Sequence, residues 1–363
     1  MSLALRSLIC SLLLTSVALA APPADDHTDP MWFLTESSDK KPVQSVEDWA
    51  ARRRHIVTQM ERVMGPMPDR SKWPEAQVRV LEREELDGGL QRQKIQFITD
   101  SNERPVKAWV FLPKPADFLK GKITQPAILC LHQTNNVGKD EPAGLGGLPN
   151  LHYALELAQR GFVTFAPDYP SFGEYPYLFP PEDGYVSGSM KAISDNMRAI
   201  DILQSMGQVD PDRIGCLGHS LGGHNTMFTA VFDTRIKALV SSCGFTRFHQ
   251  YYKGDLKGWT SPRYMPNIAT EFHNHPDELP FDFPEIVAAF APRPFLACSP
   301  TGDDNFEVSG VRDCIQAATP IYQLFHSEKG LRAEYPNCAH DFPPATREVA
   351  YKFLEEALAT PTP

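Results

Sequence analysis

The sequence predicts an α/β fold with a mostly parallel central sheet, antiparallel N-terminal strands and helices on both faces. Three observations predict it. From Ala127 onward, short apolar runs alternate with segments of helical periodicity, the rhythm of repeated βαβ units. Ahead of them lie three segments of strand-like alternation, joined at one point by the turn signal Asp87-Gly88-Gly89. Between one apolar run and one helical segment sits Gly218-His219-Ser220-Leu221-Gly222-Gly223, a serine bracketed by glycines.

Taken in chain order, residues 1–20 read as an export signal. Met1–Arg6 is a short basic start, Leu8–Leu19 an apolar core, and Ala18-Leu19-Ala20 a small-residue cleavage site. The apolar run falls short of the roughly 20 residues that cross a bilayer, and no later segment is long enough. The mature chain is therefore expected in the periplasm or outside the cell after cleavage near Ala20. Residues 21–44 are rich in Pro and Asp and are expected to form a flexible arm. Residues 45–363 are expected to form a single domain. Ser45-Val46-Glu47-Asp48 resembles a capping box, and Trp49, Ile56, Met60 and Val63 recur at helical spacing until Gly65-Pro66.

Strands are predicted over 77–84, 90–99 and 105–112, then over 127–131, 162–166, 213–217, 237–241, 294–299 and 332–335. A last amphipathic helix starts near Thr346. The second group has continuous apolar runs, as expected of strands buried on both faces. The net charge of −10 argues against nucleic acid or an anionic membrane as partner. Six cysteines follow the signal, several inside predicted buried strands, and at most one disulfide is expected.

A serine on a strand–turn–helix junction projects its hydroxyl beyond the sheet, and flanking glycines avoid collisions with neighbouring backbone. The same turn leaves the Leu221 N–H at a helix start, where it can stabilise a developing oxyanion. The base and its orienting carboxylate must then lie downstream. Asp303, in the loop leaving the strand at 294–299, is preferred over Asp304 because it lies nearer the strand end. His340 follows the last strand. The loop after the strand at 127–131 supplies the second oxyanion donor, Gln133 first and Thr134 second, with His132 as a loop residue near the site.

These residues together resemble the α/β-hydrolase superfamily, and within it the dienelactone-hydrolase and acetyl-xylan-esterase-like branch. The resemblance runs from about Gln77 to the last helix and rests on Leu131-His132-Gln133-Thr134, Pro167-Asp168-Tyr169 with Gly173, the Ser220 elbow, Ala291–Phe295 and His340-Asp341-Phe342. It implies a Ser220, Asp303, His340 triad acting on a small-molecule or carbohydrate ester without a cofactor. Two departures sharpen it. Ser220 stands where dienelactone hydrolases have cysteine, and Leu221 stands where glucuronoyl esterases have arginine.

Residues 244–284 do not follow the strand–helix rhythm. This aromatic-rich insertion reads equally as a lid or as local packing, with Trp259 and Tyr264, beside His132, as candidate pocket residues. His273 and His275 lack a third ligand and are expected to be ordinary loop residues rather than a metal site. Lys191, Asp195, Arg198 and Asp201 read as a solvated helix face. Asp168 reads as a loop brace. Two competing readings share the triad order: a serine peptidase of the prolyl-oligopeptidase type, and a non-catalytic relative that binds a ligand. Oligomeric state is not legible.

Overall fold

The computed structural model describes residues 27–35, 37–100, 102, 104–114 and 124–359. The expected export signal lies outside them. The described chain opens with a small hairpin, β1 (Trp32–Leu34) and β2 (Lys40–Pro42), followed by helix α1 (Val46–Met64). Strands β3 (Val78–Leu86), β4 (Leu90–Ile98) and β5 (Pro105–Leu112) are antiparallel. Then come β6 (Gln125–Leu131), α2 (Tyr153–Gln159), β7 (Val163–Pro167), α3 (Gly188–Ser205), β8 (Val209–His219), α4 (Leu221–Phe232) and β9 (Ile236–Ser242). The chain continues through α5 (Asn267–Thr270), α6 (Phe283–Ala288), β10 (Phe295–Cys298), α7 (Val308–Leu324), β11 (Leu331–Glu334) and α8 (Pro344–Ala357).

Nine strands make one sheet in the order β11-β10-β9-β8-β6-β7-β5-β4-β3, parallel from β11 to β7. This is an α/β-hydrolase fold. Successive residues of β6 point to opposite faces. Ala127, Leu129 and Leu131 join one buried cluster with α1, α3 and α4 residues, while Ile128 and Cys130 join the other with α2 and α8 residues. That two-sided burial is why the strand reads as an unbroken apolar run. From β6 the chain crosses to β7 on one side, and α3 then returns it to β8 on the other. The crevice beyond the ends of β6 and β8 is thus a topological switch point, where open α/β sheets place their sites.

The start of α1 follows its sequence signal. The Ser45 hydroxyl accepts from the Asp48 N–H at 3.2 Å, and the Asp48 carboxylate accepts from the Ser45 N–H at 3.0 Å. Such a cap contributes about 1 kcal/mol. Trp49, Ile56, Met60 and Val63 are all buried.

Two expectations differ from what is observed. In the stretch expected to be a flexible arm, His27, Trp32 and Val43 are buried. Trp32 is buried beneath the Arg52 guanidinium, 3.5 Å from its ring centroid, and His27 Nδ1 lies 2.9 Å from the buried Glu285 carboxylate. The second difference is α3, expected to show a solvated charged face. Lys191, Asp195 and Arg198 are buried. Thr99 and Asp100 and the tyrosines at 175, 177 and 185 cover that face, and the Lys191 ammonium lies 3.2 Å from the Asp100 carboxylate. Ion pairing at helical spacing does form, with Lys191 bonded to Asp195, but in the interior. The six described cysteines are all free thiols.

The His27 clasp gives a pH prediction. Burial opposes a charged ring, but Glu285 outweighs it and pushes the His27 pKa up from 6.5 to about 9. A raised folded-state pKa stabilises fully below the unfolded value and is lost as pH rises through the folded one. Unfolding stability should therefore fall between about pH 6.5 and pH 9, by on the order of 3 kcal/mol. Denaturant melts across that range should show the slope in the native chain and lose most of it in His27→Gln.

Candidate active site

Ser220 occupies the N-cap of α4 with φ 54 and ψ −117, a conformation rare for a residue with a side chain. Its neighbours hold it there. The Ser220 N–H donates to the Ser242 carbonyl at 2.8 Å, and the Ser220 carbonyl accepts from the Gly223 N–H at 2.8 Å. A Cβ on Gly222 would lie 1.8 Å from the Leu131 carbonyl oxygen, and one on Gly218 would lie 2.2 Å from the Gly222 oxygen. Only glycine lets the turn approach β6 this closely. The serine hydroxyl is left half-exposed at the sheet end, with the Leu221 N–H at the start of the helix.

Asp303 and His340 come together from separate loops. His340 Nδ1 donates to Asp303 Oδ2 at 2.8 Å, and the other carboxylate oxygen accepts from the N–H groups of Asn305 at 2.8 Å and Phe306 at 3.1 Å. The Asp303 side chain is buried, whereas Asp304 is exposed. Two backbone bonds tie the loops to each other: Thr301 N–H to the Pro336 carbonyl at 2.9 Å, and Gly302 N–H to the Cys338 carbonyl at 3.0 Å. The Phe306 ring stacks on His340 at 6.0 Å.

Ser220, Leu221, Gln133 and His340 all border one cavity of about 310 Å³. Of the three pocket candidates, Trp259 and Tyr264 line it. His132 does not. It is buried behind the loop, with Nδ1–H donating to the Gln133 carbonyl at 2.6 Å and Nε2 accepting from the Tyr169 N–H at 2.9 Å. Burial holds its pKa below the ordinary histidine value, so the ring is a neutral brace that orients the Gln133 peptide. A sequence shows that a histidine follows a strand, not which way its ring turns.

Some residues of the 244–284 insertion pack in the core and others border the cavity. Phe248 and Phe272 are buried in the core, while Tyr251, Trp259 and Tyr264 form a wall of the cavity. Tyr264 Oη and Thr134 Oγ1 are 2.9 Å apart, linking the insertion to the loop after β6. His273 and His275 are exposed and paired with Glu278 and Asp277.

That loop is braced from below. Glu141 accepts from Gln133 Nε2 and from the Leu148 N–H, both at 3.0 Å. Asp168 accepts from the N–H groups of Lys139 at 2.9 Å and Glu174 at 3.0 Å, and its carboxylate lies 3.0 Å from the Lys139 ammonium. Burial works against ionising Glu174, yet Lys107, Lys139 and Lys94 hold its carboxyl well below the usual carboxylate range.

His224 and Cys243 are among the site residues that escaped the sequence reading. His224 lines the cavity one turn along α4, and its only signal is its spacing from Ser220. Cys243, at φ 49 just past β9, has its sulfur within 4.8 Å of ligand atoms on Asp303 and His340. Burial, then the Asp303 charge, pushes its thiol pKa well up, so it remains a neutral S–H that donates to the Asp341 carbonyl at 3.4 Å. These three residues are a grouping with metal-ligand chemistry among the described residues, although Asp303 and His340 already bond each other.

Similarities to known proteins agree with this architecture. Residues 150–320 match the prolyl oligopeptidase family. YtaP of Bacillus subtilis (strain 168) is 29% identical over 317 residues, covering 83% of this chain and 98% of that protein. A glucuronoyl esterase from Solibacter usitatus superposes with a TM-score of 0.72 at 20% identity, covering 93% of this chain and 99% of that one. An acetyl xylan esterase from Paenibacillus sp. R4 superposes with a TM-score of 0.55 at 18% identity, covering 83% and 99%. The sheet order, the strained serine elbow and these matches agree in giving the chain the α/β-hydrolase fold.

Proposed function

We propose that this chain is an exported serine carboxylester hydrolase acting on short acyl esters, with acetylated carbohydrate as the substrate class. The observation that carries the reading is the Asp303–His340 hydrogen bond beside the cavity that holds Ser220 on its elbow. In this scheme the Ser220 hydroxyl attacks the ester carbonyl, and His340 Nε2 takes its proton. Asp303 fixes the His340 tautomer with Nδ1 protonated and stabilises the imidazolium that forms. The Leu221 and Gln133 N–H groups stabilise the oxyanion. His340 then protonates the departing alcohol. Water, deprotonated by the same ring, releases the acid and frees Ser220.

The nature of the cavity supports a neutral ester. None of its lining residues is Lys, Arg, Asp or Glu, and Leu221 brings no charge next to the nucleophile. The names of the structural relatives, an acetyl xylan esterase and a glucuronoyl esterase, support a carbohydrate ester. The apolar run at Leu8–Leu19 and the small residues ending at Ala20 support export. A serine peptidase is the second reading, favoured by the match of residues 150–320 to the prolyl oligopeptidase family.

Ser220→Ala should lower kcat/KM for p-nitrophenyl acetate by at least about 10³-fold with the fold intact by circular dichroism. Retained turnover in a clean preparation would sink the nucleophile. Asp303→Asn should cost on the order of 10³-fold, against less than about threefold for Asp304→Asn. Equal losses in those two variants would move the acid assignment. Wild-type protein should hydrolyse p-nitrophenyl acetate and spare a proline p-nitroanilide; the reverse preference selects the peptidase.

A further inference from the structure

His224 lines the cavity, and neither of its ring nitrogens has a well-aligned hydrogen bond among the described residues, the Gly244 carbonyl being the acceptor beside it; the neighbouring Trp259 indole N–H is likewise unpartnered. It is 5% exposed, and its backbone N–H closes the first turn of α4 onto the Ser220 carbonyl at 3.2 Å. Aromatic rings surround it: Trp259 at 4.6 Å, Phe228 at 5.6 Å, Tyr264 at 6.1 Å and Phe306 at 6.5 Å between centroids. For packing alone, phenylalanine would fill this space without burying two polar atoms. A buried polar group left without a protein partner needs another account, and a ligand entering the cavity supplies one.

The chemistry of the ring restricts that ligand. Burial drives the His224 pKa down to about 3, although the Gly244 carbonyl nearby favours a proton. The imidazole is therefore neutral near neutral pH, with one N–H donor and one lone-pair acceptor. A hydroxyl matches it, since a hydroxyl both accepts and donates. A carboxylate would find one donor and no compensating cation, because no Lys or Arg lines the cavity. Trp259 and Tyr251 border the same cavity and make part of its wall apolar.

We propose that His224 sets substrate specificity, its ring hydrogen-bonding a hydroxyl of a neutral acetylated sugar beside the scissile ester. The inference rests on the esterase reading for its reaction but not for its binding contact.

The test compares wild type, His224→Phe and His224→Gln on two esters, with thermal melts as a fold check. One is p-nitrophenyl acetate, which has no hydroxyl; the other is a mono-O-acetylated methyl β-xylopyranoside. In His224→Phe, kcat/KM should fall about tenfold further on the acetylated xyloside than on the aryl ester, mainly through KM. His224→Gln, which keeps a donor and an acceptor, should recover a large part of that difference. Equal losses on both esters, no selective loss, or no rescue by glutamine would overturn the proposal. A second arm needs no turnover. Tryptophan fluorescence titration of Ser220→Ala with the acetylated xyloside should give a Kd about tenfold lower than titration of the Ser220→Ala, His224→Phe double variant. Equal Kd values overturn the His224 assignment. Absence of turnover of both esters by wild type sinks the esterase reading, while the fluorescence arm still decides His224.

Discussion

The first turn of α4 meets the end of β6 backbone to backbone, with Gly222 so close to the Leu131 carbonyl that no side-chain carbon fits between them. Several features of the site follow from this contact. It sets where Ser220 stands above the sheet, and the strained φ at Ser220 is what it costs. Leu131 is the last residue of β6, so the contact also sets the start of the loop carrying Gln133 relative to the Leu221 N–H. Two backbone donors from distant parts of the chain are thereby brought to border one cavity. Gly223 against Gly244 is a second such approach, with 2.7 Å between a Cβ built there and the Gly244 Cα, and it seats the helix on the segment after β9.

A close approach positions only the first residue or two of a loop, and the remainder needs its own support. Here that support is polar and buried. His132 spans from the Gln133 carbonyl to the Tyr169 N–H, Glu141 gathers Gln133 and Leu148, and Asp168 with Lys139 ties the loops after β6 and β7 together. Each carboxylate is matched by donors or a cation, as buried charge requires. In the proposed reaction, donors held in place before substrate arrives need not reorganise, which is where electrostatic stabilisation gains most. The Asp303 loop repeats the design, its second oxygen held by two backbone N–H groups.

Much of this was legible in the sequence because its signals are local. The run Ala127–Leu131 is apolar on consecutive residues, and β6 is buried on both faces. Asp87-Gly88-Gly89 turns β3 into β4 with both glycines at positive φ, and Ser45 with Asp48 caps α1. Asp303 was preferred to Asp304 by distance from the strand end, and it is Asp303 that hydrogen-bonds His340, the residue placed after β11. What failed depends on contacts between distant segments. Lys191 and Asp195 have the same spacing whether their helix faces water or Asp100, so α3 read as solvated. Met31 to Leu34 gave too short an apolar signal to reveal that Trp32 packs under Arg52. His132, His224 and Cys243 owe their roles to where rings and a thiol point, and spacing carries no such information.

The wall of the cavity facing the serine comes largely from the 244–284 insertion, which adds no strand to the nine-stranded sheet. The groups assigned to chemistry sit instead at strand ends and are held by the ladder and its glycine contacts. A large part of the cavity wall is thus carried by a segment separable from the groups assigned to chemistry, with His224 on α4 as the exception. Sequence drift within the insertion can exchange Tyr251, Trp259 or Tyr264 without altering a single inter-strand hydrogen bond. Proteins sharing this sheet are therefore free to diverge in the esters they accept while their elbows stay superimposable, and overall structural similarity becomes a poor guide to substrate.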